Sequence, residues 1–180
     1  MWRRAVEGVI TVTIHTIGYE GADLSQFLDA LLDAGIEHVI DVRAVPISRK
    51  PGFSKSKLNA ALVDVGIEYS HLQALGDPKE GREAMRRGNY SEFLKIFSKH
   101  MSSVAAQLAV NVVSEIAIDE TVALLCYENN PKECHRSIVA QHISENTTLP
   151  IRHLQLNLKS SSKPSPAKLL GLGQLQVSTA

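Results

Sequence analysis

Two apolar periods alternate along this chain, and that alternation restricts its fold more than any other feature. Ile10, Val12 and Ile14 alternate with Thr11, Thr13 and His15, the period-two pattern of a strand over residues 10–17, which Gly18 ends. Asp23 and Gln26 then have capping-box spacing, and Leu24, Phe27, Leu28, Leu31 and Leu32 recur at helical intervals up to Gly35. A short β-branched strand follows at 38–43, H-V-I-D-V-R. Strand, helix and strand at this distance form a crossover, which joins parallel strands. The alternation then continues. Ser54 caps a helix carrying Leu58, Ala61, Leu62 and Val65, Gly66 closes it, and I-E-Y-S-H-L at 67–72 is a third strand. A mostly parallel α/β sheet is implied.

The second half is less regular. Residues 73–89 are polar and rich in Gly, which predicts a surface excursion with at most a short helix around Arg82–Arg87. Asn89 and Glu92 repeat the capping spacing, and Phe93, Phe97, Met101, Val104 and Leu108 predict the core face of one long helix. T-V-A-L-L-C-Y at 121–127 is apolar without alternation, as a central strand covered on both faces should be. Asn130, Pro131 and Glu133 predict a helix start that runs to about Ser144, and a last strand lies near Pro150–Leu156. From Asn157 onward the chain carries Ser160–Ser162, Pro164, Pro166, Gly171 and Gly173 with no acid and no aromatic, so the reading is a single α/β domain over 1–156 and a flexible C-terminal tail over 157–180. No apolar run is long enough for a signal peptide or a membrane span, and two cysteines are too few for a disulfide scaffold. A cytoplasmic location and no membrane partner are expected.

In open parallel sheets, ligands bind beyond the carboxyl ends of the strands, where loops meet the positive ends of helices. Gly18, Asp41, Arg43, Tyr69, His71, Cys126 and Glu128 all fall at that edge. The chain has no net charge, but the charge is segregated: residues 5–42 hold seven acids and no Lys or Arg, and 43–57 hold five bases and no acid. The basic loop lies at the expected ligand edge. Arg43, Arg49 and Arg136 read as an oxyanion clamp, because guanidinium forks bind oxyanions bidentately. The rival reading is a set of structural salt bridges with Asp41, Glu128 and Glu133. Asp41 would orient an arginine, and Gly18 would let the chain pass close to a ligand or helix. Glu128, just past a buried strand, reads as an acid/base. Cys134, at a helix start beside Arg136, reads as a stabilised thiolate, with Cys126 as the second nucleophile candidate and a buried hydrophobe as its plainer alternative. Tyr69, His71 and His135 are further candidates for substrate contact, and Phe53 could stack on a base. His15, His71, Cys126, Glu128, Cys134 and His135 are all capable metal ligands, but their spacing is not a recognised zinc pattern, so neither metal nor cofactor is expected.

Four blocks of residues together resemble a known family. T-I-G-Y-E at 16–20, D-V-R at 41–43 with P-x-x-R at 46–49 and Phe53, G-I-E-Y-x-H-L at 66–72 with L-G at 75–76, and C-Y-E-x5-C-H-R at 126–136 are similar to the bacterial and archaeal domain-of-unknown-function family 488. The resemblance covers roughly residues 12–145 in the right order. It implies a three-layer α/β/α sandwich of Rossmann-like type and a polar pocket built from these blocks, with no established reaction. The chain has Tyr19 and Glu20 where the family often has His-Ser, and Asp77 where a second Gly is usual.

The leading expectation is an enzyme that hydrolyses or transfers a group on a small, phosphate-bearing or nucleotide-like anion. A non-catalytic module that binds an anion or a nucleic-acid end is the alternative. A metal-dependent, nuclease-like enzyme is a third reading.

Overall fold

The computed structural model describes residues 12–156. The expected tail from 157, and residues 1–11 of the expected domain with Ile10 and Thr11 of its first strand, lie outside these residues. Five strands, β1 (Ile14–Gly18), β2 (His38–Asp41), β3 (Glu68–His71), β4 (Val122–Cys126) and β5 (Ile151–His153), form one sheet in the order β3-β2-β4-β1-β5. Every pairing is parallel. β1, β2 and β4 are buried along their whole length, as the strands of a sheet covered on both faces must be.

Helices α1 (Leu24–Asp33) and α2 (Lys55–Asp64) cover one face. There Phe27, Leu31, Leu58 and Leu62 pack on Ile17, Val39, Ala123 and Leu125. Helices α3 (Lys79–Arg86), α4 (Tyr90–Met101), α5 (Val104–Asp119) and α6 (Arg136–Thr147) belong to the other side, where Phe93, Phe97, Val110, Val113, Val139 and Ile143 join Ile14, Ile40, Leu124 and Cys126. The result is a three-layer, Rossmann-like α/β/α sandwich. The chain runs outward from β1 to β2 and β3, then returns to insert β4 between β1 and β2, and β5, the last strand among the described residues, lies beyond β1. That reversal opens a crevice at the carboxyl edge beside β4.

Local signals explain most boundaries. Asp23 and Gln26 form a reciprocal capping box at α1, at 2.8 Å and 3.0 Å. Gly35 and Gly66 follow α1 and α2 with φ of 64° and 78°, the left-handed region where a helix stops at least cost to glycine.

Three expectations are corrected. The long helix from Asn89 is two helices bent by 77°, because the Ser103 hydroxyl accepts from Ala106 N–H and starts a new one. The bend rotates Val104 and Leu108 outward to 76% and 59% exposure, and Ala106, Ala109, Val110 and Val113 take the core positions instead. The helix expected from Asn130 is a single 3-10 turn, Pro131–Glu133, followed by an extended Cys134 at φ −129° and ψ 135°, and α6 begins at Arg136. The excursion at 73–89 is helical from Lys79 and packs Gly81 and Ala84 inside. Among the described residues, no single helix is long and apolar enough to cross a membrane.

Candidate functional site

The basic loop begins at a buried ion pair. Asp41, the last residue of β2, is completely buried, and both of its oxygens are committed. Oδ1 accepts from the Arg43 backbone N–H at 3.1 Å and from Nε at 2.8 Å, and Oδ2 accepts from Nη2 at 2.6 Å and from the Tyr69 hydroxyl at 2.6 Å. Nη1 of Arg43 donates to Tyr19 Oη and to the Phe53 carbonyl, each at 2.9 Å. Burial works against the Arg43 charge, but Asp41 outweighs it and raises its pKa. Burial, followed by the bond to Asp41, raises the pKa of Tyr69. Asp41 and Tyr69 therefore position Arg43 from behind. His71 does the same for the main chain, with Nε2 2.8 Å from the Arg43 carbonyl.

Phe53 is fully buried and stacks on Tyr19 with centroids 4.2 Å apart and planes 8° apart. It is a wall of the core, not the base-stacking platform the sequence suggested.

The loop after β4 is held by Gly18 and Arg136. A Cβ on Gly18 would overlap the Glu128 carbonyl oxygen and lie 2.6 Å from its carbon, so only glycine lets β1 pass this loop. Arg136 is fully buried and donates to the Glu128 carbonyl, to the Asn129 carbonyl at 3.1 Å and, through Nε, to Thr16 Oγ1 at 3.3 Å. It satisfies main-chain carbonyls and is absent from the cavity lining, so the three arginines do not form one clamp. Spacing placed Arg136 at the right edge but could not say which way it turned.

Two sulfurs and an imidazole meet beneath this loop. Cys126 Sγ donates to Glu128 Oε2 at 3.1 Å and lies 3.8 Å from His135 Nδ1, and donor atoms of Cys126, Cys134 and His135 all lie within 4.8 Å of one another. The bond to Cys134 lowers the Cys126 pKa, but burial and the Glu128 charge together raise it further. Burial holds the Cys134 thiol well above its ordinary value. Neither is the stabilised thiolate expected from sequence, because Cys134 sits before α6, walled off from solvent, and the guanidinium of Arg136 is spent on carbonyls. Burial also opposes the Glu128 charge, but bonds from Cys134 and Cys126 outweigh it, and its pKa is lowered. Burial disfavours the His135 imidazolium, yet its contact with Cys134, the Val42 carbonyl and Glu128 push its pKa up to about 9.

These groups border a cavity of about 400 Å³ lined by Tyr19, Arg43, Arg49, Lys50, Asp77, Arg82, Cys126, Tyr127, Glu128 and His135. Arg49 is exposed and makes no hydrogen bond or ion pair with the described residues, whereas Lys50 reaches the Tyr19 carbonyl at 3.1 Å. Lys50, read from sequence as part of a solvated face, is thus part of the lining.

Sequence reasoning missed Tyr19, Arg82 and Tyr127 in the lining and, above all, Asp77. It is 6% exposed, and its Oδ1 has no hydrogen-bond partner among the described residues. Burial raises its pKa to about 6 against the opposing charges of His135 and Arg82. A Cβ on Gly81 would overlap Oδ1, so a glycine in α3 makes room for the carboxyl. The available signal was the L-G-D run at 75–77, where an acid replaces the family's usual second glycine.

Of the expected site residues, Arg43, Arg49, Cys126, Glu128 and His135 line the cavity. Asp41, Tyr69 and His71 stand behind Arg43, and Gly18, Cys134 and Arg136 shape the loop. Fold and site together define a doubly wound parallel α/β protein with a cationic, carboxyl-bearing cavity at the carboxyl edge of its sheet. The chain belongs to the family described as domain of unknown function DUF488, whose model matches residues 23–143. The T-I-G-Y-E block at 16–20 precedes the matched span. No curated protein and no solved structure matches the chain.

Proposed function

We propose that this protein is an enzyme that hydrolyses or transfers a group on a small anionic, phosphate-bearing substrate. The observation that carries the reading is the cavity itself, which brings Arg43, Arg49, Lys50 and Arg82 together with the buried carboxyl of Asp77, whose Oδ1 has no hydrogen-bond partner among the described residues. Arg49, Lys50 and Arg82 give the concavity a cationic wall that favours an oxyanion, with the buried Arg43–Asp41 pair beside it. Tyr127 at 46% exposure and Ile47 at 78% give the same cavity an apolar rim, suited to the ring of a nucleotide-like ligand.

The two carboxyls differ in proton affinity, the arrangement that assigns acid and base roles. Glu128 is held ionised beside Cys126 and acts as the base or charge partner. Asp77, with a pKa of about 6, is the group able to hold and deliver a proton near neutrality. Glu128 alone was the expected acid/base, and Asp77 takes the acid half of that role. A cytoplasmic, reducing location accompanies this reading, because both cysteines are free thiols.

The test is a thermal-shift series with inorganic phosphate, sulfate and mononucleotides, followed by product analysis with whichever nucleotide binds. Phosphate-bearing ligands should raise the melting temperature in a salt-sensitive way, and Arg49→Ala should weaken that effect several-fold. Asp77→Asn should still bind and lose turnover. No stabilisation by any of these anions would overturn the anion reading, and binding without conversion would leave a binding module in its place.

A further inference from the structure

The sulfur–imidazole cluster is built in the manner of a metal site, which the sequence spacing had argued against. Cys126 Sγ is 3.1 Å from Glu128 Oε2 and 3.8 Å from His135 Nδ1, and Cys134 Sγ belongs to the same group within 4.8 Å. Tetrahedral zinc with ligand bonds of about 2.0–2.3 Å needs donor atoms roughly 3.3–3.8 Å apart, so small side-chain shifts would bring this set into range. Cys126, Cys134 and His135 are buried, and Cys126, Glu128 and His135 also line the cavity, which provides an entry path.

The imidazole supplies a second, independent sign. His135 Nε2 lies 2.8 Å from the Val42 carbonyl, an acceptor only, so Nε2 carries the hydrogen and donates it there. Nδ1 is left facing the sulfurs. A histidine fixed through one nitrogen by a backbone carbonyl, with the other aimed at thiols, is the usual support of a metal-binding ring.

We propose that Cys126, Cys134 and His135 bind one thiophilic divalent cation, zinc foremost, at the floor of the cavity. Both S–H protons and the Nδ1 proton of the His135 imidazolium leave to solvent as the two metal–sulfur bonds and the metal–nitrogen bond form, so occupancy rises with pH. The Cys-x7-Cys-His spacing conceals the site because Cys126 ends a strand while Cys134 and His135 follow a separate 3-10 turn. The proposal does not depend on the anion reading, since the metal is measured directly.

Full-length protein, reduced and freed of metal, is titrated with Co²⁺ and then with Zn²⁺. One Co²⁺ per chain should give an intense near-ultraviolet thiolate charge-transfer band and visible bands of tetrahedral strength, and one equivalent of Zn²⁺ should abolish both. Zn²⁺ should also slow modification of both thiols at least tenfold. Cys134→Ser should lose the charge-transfer intensity, and Arg49→Ala should keep it. A wild-type Co²⁺ spectrum without thiolate bands, or thiols that react equally fast with and without Zn²⁺, would overturn the proposal without relying on any variant's folding. A disulfide between Cys126 and Cys134 that persists under mild reductant would overturn it as well.

Discussion

Replacing Asp77 by Asn should stabilise the protein at neutral pH and leave it unchanged in acid. The carboxyl is buried beside Gly81, its Oδ1 has no partner among the described residues, and its pKa rises from an ordinary 3.8 to about 6. Between these values the folded chain holds a proton that the unfolded chain has released, so stability falls as pH rises through the window and the loss is complete above about pH 6. At about 1.4 kcal/mol per tenfold change in proton affinity, the ceiling on that cost is about 3 kcal/mol. Water entering through the cavity mouth reduces the expected figure to about 1–2 kcal/mol. Asparagine fills the same space without a charge to bury. Urea unfolding followed by circular dichroism, at steps between pH 4 and pH 8, reads the difference between the two proteins. It should be near zero at pH 4, grow through pH 5 to 6 and level off above. A difference independent of pH, or a less stable Asn variant at pH 8, would refute the reasoning that Asp77 is a strained, proton-holding group.

Three further outcomes follow from the geometry. Gly18→Ala should destabilise the fold by about 1–3 kcal/mol in urea, because its Cβ forces the Glu128 carbonyl away, and the same shift should weaken Co²⁺ binding. Arg136→Met fills the buried space but leaves the Glu128 and Asn129 carbonyls without donors, and should cost about 3 kcal/mol or more by the same measurement. Ser103→Ala removes the cap that starts α5 and should cost about 1 kcal/mol, with no effect on anion or metal binding.

The alternating periods fixed which segments became strands and helices, and Asp23, Gly35 and Gly66 marked ends that the structure reproduces. Those features are legible because a strand's two-residue period and a helix's cap depend on residues only a few positions apart. The carboxyl edge was legible for the same reason: in a parallel sheet every strand's last residues share one end, so Asp41, Arg43, Cys126 and Glu128 had to gather there. The break at Ser103 was a local signal that sequence reasoning passed over, misled by apolar spacing that runs on through Val104 and Leu108.

What only the tertiary structure decided is where each polar side chain finds its partner. Arg136 turns to two loop carbonyls and a threonine instead of the cavity because the loop crosses Gly18 at a distance that leaves those carbonyls in need of donors. Asp77 has room beside Gly81, four residues on, but its place in the cavity with Glu128 and His135 joins segments about fifty residues apart, which no local spacing encodes. Cys134 and His135 meet Cys126 because the 3-10 turn folds the chain back on the end of β4. Periodicity is a property of neighbours in sequence, whereas satisfaction of buried polar groups is settled by neighbours in space, and the site is made of the second kind.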